Sequence, residues 1–454
     1  MSAPYDLVIE GGSCLTPGAR IETDIGVRDG RIAGIGELGR AKARERFAAQ
    51  GLAVLPGVID TQVHFREPGL EHKEDLESGT RAAALGGVTC VFEMPNTTPP
   101  TVSAEALADK LARAKGRVWC DIAFFAGASP DNIGALAALE RLPGCAGIKL
   151  FMGSSTGSLL VAEDEAIAAV LANGRRRVAV HAEDESRLRA RFHLAEKAGR
   201  PHAHPEWRDV ETAVAATRRL MALARAAGRP VHVLHVTTGD EMAILADNKD
   251  IASVEVTPQH LTLVAPDCYD RLGTYAQMNP PIRGEAHRAA LWRAVAEGVV
   301  DVLGSDHAPH SREEKSKPYP GSPSGMPGVQ TLVPLLLDHV NAGRLSLERF
   351  VDLTSAGPVR VYGLAGKGRL AVGYDGDFTI VDLGARREIT NAWIASKCGW
   401  TPYDGMKVTG WPVATIVRGA VVMREGELAG QPAGAPARFI GCQAVQGHYQ
   451  RSLV

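Results

Sequence analysis

The chain lacks the features that mark membrane, secreted and nucleic-acid-binding proteins. None of its apolar runs reaches about 18 residues, and residues 1–6 lack the basic and apolar regions of a secretion signal. Its seven cysteines are scattered without a Cys-x-x-Cys pair, which is typical of reduced thiols in a cytoplasmic enzyme. The formal net charge of −2 disfavours nucleic acid and anionic membranes as partners. We therefore expect a cytoplasmic protein that acts on a small molecule.

Length and the two ends of the chain predict one large domain with a small β appendage. At 454 residues the chain is too long for one small core. Strand-like runs occur at Tyr5–Ile9 and 24–35, where Asp29-Gly30 is a hairpin turn signal, and again at Asp377–Asp382 and Ala414–Met423. Neither end has enough apolar surface to fold alone, so we expect the two termini to meet in one β domain.

Between the termini, eight apolar strand-like runs alternate with amphipathic stretches over roughly 250 residues. The runs end near His64, Met94, Phe125, Phe151, His181, Val236, Val256 and Gly304. This alternation predicts a (β/α)8 barrel. A doubly wound sheet is the alternative, but the alternating region contains no G-x-G-x-x-G crevice motif. Segments 184–210 and 306–330 lack clean periodicity, and the second lies where a lid is expected.

The predicted C-terminal strand ends carry side chains typical of a zinc-type site with room for water. They are His64 after strand 1, Lys149 in strand 4, His181 ending strand 5, His235 ending strand 6 and Asp306 after strand 8. Alone, each has an ordinary structural reading, such as a core histidine, an ion-paired lysine or a helix N-cap. Together they favour catalysis, with Asp306 as a metal ligand and proton shuttle. A buried Lys149 with a lowered pKa can add carbon dioxide, and the carbamate could bridge two metals.

A second group of side chains offers hydrogen-bond donors rather than metal ligands. Arg66, Asn96 and His310 follow strands 1, 2 and 8, and all three are predicted to lie on loops at the barrel mouth. Arginine can bind a carboxylate through two parallel hydrogen bonds. This group therefore suggests a small-molecule carboxylate as substrate.

Seven stretches resemble the cyclic amidohydrolases, and the dihydroorotase family in particular. These are Pro56–Gly69, Glu93–Thr97, Gly147–Phe151, Val180–Glu183, Leu234–Thr237, Asn279–Arg283 and Gly304–His310. The similarity extends from about residue 5 to residue 425, nearly the whole chain. It implies a TIM barrel over residues 55–364, with a small β-sandwich domain built from residues 1–54 and 365–454. It also implies a zinc site bridged by a carboxylated Lys149, and Asn279 as a further substrate-binding residue.

One position departs from the family pattern. The family's Asp-x-His-x-His reads Asp60-Thr-Gln62-Val-His64 here, so the first metal histidine is a glutamine. An amide oxygen is a poorer ligand for zinc than imidazole. We expect one zinc to be held tightly and a second, beside His64 and Asp306, to be held weakly. Gln62 is then either a weak ligand or a hydrogen-bond donor to a ligand.

The resemblance implies a homodimeric dihydroorotase that interconverts dihydroorotate and N-carbamoyl-aspartate in pyrimidine biosynthesis. Allantoinases and hydantoinases share the barrel and the metal, but they typically lack an arginine at position 66 and the Met-Pro-Asn form at 94–96. Another alternative is a non-catalytic homologue that supports an aspartate transcarbamoylase partner. Gln62 favours that alternative, whereas the presence of Lys149, His181, His235 and Asp306 argues against it.

Overall fold

The computed structural model describes residues 4–155 and 159–442. Within these residues seventeen strands form two sheets. The strands are β1 Tyr5–Leu15, β2 Arg20–Arg28, β3 Arg31–Gly36, β4 Ala43–Ala48, β5 Ala53–Pro56, β6 Val58–Val63, β7 Val88–Glu93, β8 Asp121–Gly127, β9 Cys145–Phe151, β10 Val178–His181, β11 Val231–Val233, β12 Ala252–Val256, β13 Val302–Leu303, β14 Phe378–Ile389, β15 Met406–Val417, β16 Ala420–Arg424 and β17 Glu427–Leu428.

Helices follow most of the barrel strands. They are α1 Leu76–Leu85, α2 Ala104–Ala114, α3 Leu136–Leu139, α4 Asp164–Ala172, α5 Glu185–Ala198, α6 His204–Trp207, α7 Val210–Ala227, α8 Gly239–Ala246, α9 Pro258–Thr262, α10 Asp267–Leu272, α11 Glu285–Ala296, α12 Arg312–Lys315, α13 Leu332–Asn341, α14 Leu347–Val351 and α15 Gly357–Tyr362. No helix among the described residues is long and apolar enough to cross a membrane. Segment 184–210, which lacks clean periodicity, nevertheless contains α5, because Asp184 caps its start and Gly199 its end.

Strands β6 to β13 form the predicted parallel barrel. Each strand pairs with the next along the chain, and every barrel strand consists of buried residues. A backbone hydrogen bond of 2.7 Å from His64 N to His307 O, beside a bridge between Val63 and His307, brings the first and last strands together. All eight strands end within three residues of their predicted ends. The (β/α)8 prediction is confirmed, and the carboxyl ends of the strands meet at one mouth.

The other nine strands come from both ends of the chain, as predicted. In this sheet β5 lies between β1 and β14, so it joins the N-terminal strands to the C-terminal ones. The hairpin at Asp29-Gly30 is confirmed by antiparallel pairing of β2 with β3. The strands enclose an apolar core of their own, which includes Leu7, Ile25 and Ile416. The residue limits of the two domains stay a prediction.

A buried charge cluster links this sheet to the amino-terminal end of barrel strand β8, where Asp121 lies. Lys367 Nζ lies 2.6 Å from Asp121 Oδ2 and 3.5 Å from Asp375 Oδ2, and it also contacts Asp377. Arg418 contacts Asp121 from the sheet side. The three carboxylates are close enough together to hold a metal ion, but the Lys367 ammonium already lies among them as their counterion. We therefore read the cluster as structural.

Removing the central cation should destabilise the fold. Lys367→Met would leave buried carboxylates without their shared partner, which typically costs about 3–5 kcal/mol. The midpoint of urea unfolding should fall accordingly. Arg424→Met is the control, because the Arg424–Glu45 pair is roughly half exposed and such pairs contribute about 1 kcal/mol or less. Equal losses in the two variants would contradict the proposed role of Lys367.

Candidate active site

One cavity at the carboxyl ends of the barrel strands collects every predicted metal residue. Its lining includes Gln62, His64, Lys149, His181, His235 and Asp306, together with Ser155, Asn279 and Ser324. The six predicted metal residues are all less than 8% exposed. The structure therefore brings together side chains that lie up to 244 positions apart in sequence. Their roles as ligands stay predictions.

His64 occupies a position that fits a bound cation. Its Nδ1 lies 2.8 Å from Asn96 Oδ1, and since an amide oxygen only accepts, the ring proton is on Nδ1. Burial lowers the pKa of His64, so the ring is neutral and its Nε2 carries a lone pair. That lone pair faces Asp306 Oδ1 at 3.2 Å. Two lone-pair atoms at this separation repel one another unless a cation lies against both. His64 Nε2 and Asp306 Oδ1 therefore fit the role of metal ligands.

His181 and His235 form the second half of the donor set. His181 Nδ1 lies 3.1 Å from His235 Nε2. His235 Nδ1 has no hydrogen-bond partner among the described residues. Glu183 Oε2 lies 2.9 Å from His181 Nε2, a charge contact too poorly aligned to count as a hydrogen bond. Burial disfavours the Glu183 carboxylate, but Arg208 and His181 hold its pKa well below the usual range. Glu183 thus lies on the Nε2 side of His181, where a carboxylate can orient a histidine so that its Nδ1 serves as a metal ligand.

Lys149 has the environment expected of a lysine that reacts as a free amine. It is 1% exposed, and its Nζ lies 4.5 Å from the ring centre of Phe151. Burial lowers its pKa to about 7, although the charges of Asp306 and Glu255 oppose the shift. Burial therefore favours the neutral amine of Lys149 over the ammonium. Carbamate formation at this amine stays a prediction.

Gln62 interacts with the same aspartate as His64. Its Nε2 donates to Asp306 Oδ1 at 3.0 Å, while its buried Oε1 has no partner among the described residues. The amide thus orients Asp306 and leaves an oxygen as a possible weak ligand. Both roles considered from the sequence are compatible with this geometry.

Three site residues adopt a left-handed backbone conformation that non-glycine residues rarely adopt. The φ angles of Arg66, His235 and Asp306 are 66°, 39° and 43°. The remaining positive-φ residues other than glycine, within the described part of the chain, are Asp29, Arg418 and Glu425. Each of those three precedes a glycine in a hairpin turn, where such angles are ordinary. At the barrel mouth no hairpin turn requires them, and because such strained angles cluster at functional sites they support the candidate site.

The predicted carboxylate-binding residues lie beside the cavity rather than in its lining. Arg66 Nη2 lies 3.3 Å from His310 Nε2, so these two are together as predicted. His310 Nε2 also lies 3.0 Å from the carbonyl of Ser324, a residue of the cavity lining. Asn96 holds His64 instead of facing the open space, whereas Asn279 lines the cavity. A carboxylate reaches His310 in this conformation only by displacing the Ser324 carbonyl.

Several residues at the site escaped the sequence reasoning. His204 contacts Asn279 Oδ1 at 3.0 Å, and Lys73 contacts His310 Nδ1 at 3.2 Å. Neither residue ends a barrel strand, so the expectation that site residues lie at the carboxyl ends of barrel strands (the strand-end rule) could not identify them. Glu183 follows His181 by two positions, and alternation along the chain could have placed it on the same side.

A barrel mouth that gathers imidazoles, a buried lysine and an aspartate is the arrangement of a metal-dependent hydrolase. The sequence profile of the amidohydrolase family matches residues 53–422, and the chain belongs to this family, among its cyclic amidohydrolases.

Named relatives agree on the reaction class but differ in substrate. The chain is 39% identical over 407 residues to a dihydroorotase of Halobacterium salinarum, covering 87% of this chain and 93% of that protein. It is 35% identical over 460 residues to an allantoinase of Rubrobacter xylanophilus, covering 98% and 100%. The solved L-hydantoinase of Arthrobacter aurescens superposes with a TM-score of 0.90 at 30% identity, covering 95% and 99%. The family is generally metal-dependent.

The uneven donor set predicts uneven metal retention. We expect purified protein to keep one metal equivalent after mild chelation, held through Lys149, His181 and His235, and to lose any second. Gln62→His should make the second equivalent resistant, because imidazole is the better ligand. Elemental analysis before and after chelation measures both. Two equally resistant equivalents in the wild type would show that Gln62 does not weaken the site.

Lys149 is expected to be essential for metal binding. Lys149→Ala should abolish metal retention and activity, and short carboxylic acids with bicarbonate should partly restore both. The control is Lys110→Ala, which removes another fully buried lysine, the ion-pair partner of Glu93. That variant should lose stability but keep its metal. Normal metal content and activity in Lys149→Ala would exclude the bridging role.

Proposed function

We propose that the protein opens and closes the ring amide that relates dihydroorotate to N-carbamoyl-aspartate, a step of pyrimidine biosynthesis. The observation that carries this proposal is the cationic surrounding of His310. Arg66 Nη2 lies 3.3 Å from its Nε2, and Lys73 Nζ lies 3.2 Å from its Nδ1. Lys73 is paired with Glu314, whereas Arg66 is 2% exposed and forms no ion pair among the described residues. A buried cation is costly unless an anion shares its place. A ring that carries a carboxylate meets this requirement, whereas hydantoin and allantoin carry none.

The chain's own residues have assignable tasks in this reaction. His64, Lys149, His181, His235 and Asp306 would hold a zinc-type metal, which supplies Lewis acidity toward a water molecule and the amide carbonyl. The Asp306 carboxylate is oriented by the Gln62 amide. It would accept the proton of the attacking water and return it to the departing ring nitrogen. The burial of this group of side chains limits competing water at the reaction centre.

Arg66 and His310 would hold the substrate carboxylate, with Asn279 facing the ring from the cavity lining. Asn96 would act chiefly by holding the His64 ring through Nδ1, so that the lone pair on Nε2 stays directed toward Asp306. This division of tasks places the reacting amide toward the metal side and the carboxylate toward the cationic side.

A neutral cyclic amide is the second candidate substrate. Two observations favour a neutral substrate. Arg66 and His310 do not line the cavity, and the Nε2–H of His310 already donates to the Ser324 carbonyl. Comparing turnover of dihydroorotate with that of hydantoin and allantoin on the same preparation decides between the two. A homodimer, association with a transcarbamoylase and a cytoplasmic location also belong to the proposal. Sedimentation of the purified protein with and without such a partner tests the first two.

Removing Arg66 should affect the substrate and not the metal. Loss of a charged hydrogen bond typically costs roughly 1.5–3 kcal/mol, so Arg66→Met should lower kcat/KM for dihydroorotate about ten- to a hundredfold. Metal content should stay at the wild-type level. Arg189→Met, at a side chain that is 74% exposed, should behave as the wild type. Normal dihydroorotate turnover in Arg66→Met, or a wild type that prefers hydantoin, would refute the assignment.

A further inference from the structure

Lys73 lies on the same loop as Arg66 and reaches the far side of His310. Its Nζ is 3.2 Å from His310 Nδ1 and 2.8 Å from Glu314 Oε1. The side chain is only 12% exposed, so these contacts are shielded from solvent. Leu70 N bonds to Arg66 O, and Lys73 N bonds to Leu70 O. The loop is therefore compact, and it presents Arg66 and Lys73 to the two ring nitrogens of one histidine.

The contacts with Lys73 and with the Ser324 carbonyl together determine which nitrogen of His310 carries the proton. An ammonium group can only donate, so His310 Nδ1 must accept. Glu314 Oε2 is 3.6 Å from Nδ1, too far to compete for a proton there. The single proton of the neutral ring is therefore on Nε2. That nitrogen donates to the Ser324 carbonyl at 3.0 Å, while Arg66 Nη2, which can only donate, lies 3.3 Å away without a hydrogen bond to the protonated nitrogen.

We infer that Lys73 is a positioning residue of the carboxylate subsite, because its ammonium keeps His310 in the Nε2–H form and so presents a donor to the substrate carboxylate. The inference rests on the proposed function for the identity of the anion. It also adds a second full positive charge, after Arg66, to the surroundings of that anion. Glu314 holds the ammonium in place but reduces the net positive charge.

Loss of Lys73 is expected to change which nitrogen of His310 carries the ring proton. Without the ammonium, the His310 proton can move to Nδ1, where Glu314 is the nearest carboxylate. Nε2 would then direct a lone pair at the incoming carboxylate and repel it. Loss of Glu314 has the opposite electrostatic effect, since the ammonium stays and the negative charge disappears. The two partners of one ion pair are thus expected to act with opposite sign on anion binding.

Three variants test this inference. Lys73→Met should raise KM for dihydroorotate about tenfold, with a smaller effect on kcat, because binding of the carboxylate is what is lost. Lys73→Arg should recover most of the affinity, since a guanidinium also donates to Nδ1 and pairs with Glu314. Glu314→Gln should leave KM equal to or below the wild-type value. Glutamine can also keep the capping-box bond with Ser311.

A second readout does not depend on turnover. Long-range ¹H–¹⁵N spectra of histidine-labelled protein, with His310 assigned by a His310→Ala variant, should show protonated Nε2 in the wild type and in Glu314→Gln. Lys73→Met should lose this signature. An Nδ1–H signal in the wild type, or Glu314→Gln raising KM as much as Lys73→Met, would overturn the inference. If the wild type rejects dihydroorotate while the Nε2–H signature holds, the proposed substrate fails and the tautomer control by Lys73 stands.

Discussion

The side chain of Asp60 connects the first strand of the barrel to the segment that follows the last strand. The candidate site residues Gln62, His64 and Asp306 closely follow the two connected positions in sequence. Asp60 Oδ1 accepts from Ser305 N at 2.9 Å and from Gln62 N at 3.2 Å, and the residue is completely buried. The hydrogen bond to Ser305 fixes the residue immediately before Asp306. Since Gln62 and His64 both reach Asp306, the geometry of this half of the site depends on the closure of the barrel at Asp60. A barrel open at this seam would separate the His64 side from its aspartate.

This closure also explains how the mouth tolerates unfavourable backbone angles. A left-handed conformation at a non-glycine residue costs about 1–3 kcal/mol and persists only where the surrounding structure enforces it. Arg66 and Asp306 flank the seam, and His235 follows the short strand β11, so each lies where a barrel strand passes into a loop. The strain is therefore concentrated where barrel strands pass into the loops that carry the candidate site residues. The rigid barrel offsets it through the buried contacts of its strands.

The sequence predicts the parts of this protein that repeat, and it misses contacts that depend on distant segments. Eight apolar runs with regular spacing predict the barrel, and the strand-end rule then finds His64, Lys149, His181 and His235. The same rule has no means of finding Lys73, whose partner His310 lies 237 positions away. Nor does it indicate that the Ser324 carbonyl contacts His310, because a loop without periodicity gives no sign of its path. Helix α5 was similarly hidden, since its capping residues and not an apolar stripe define it.

The two sides of the site differ in electrostatic character, and this difference can orient a substrate. Burial lowers the pKa values of His64, His181 and His235, so the metal side presents neutral lone pairs that attract a cation. On the other side Arg66 keeps its charge, because even its lowered pKa is about 10. A molecule with a carboxylate at one end and a cyclic amide at the other would be held in one direction only, with its amide toward the lone pairs. The same asymmetry explains why a glutamine is tolerable at position 62. Gln62 adds no charge to the metal side, and through its N–H it orients the Asp306 carboxylate.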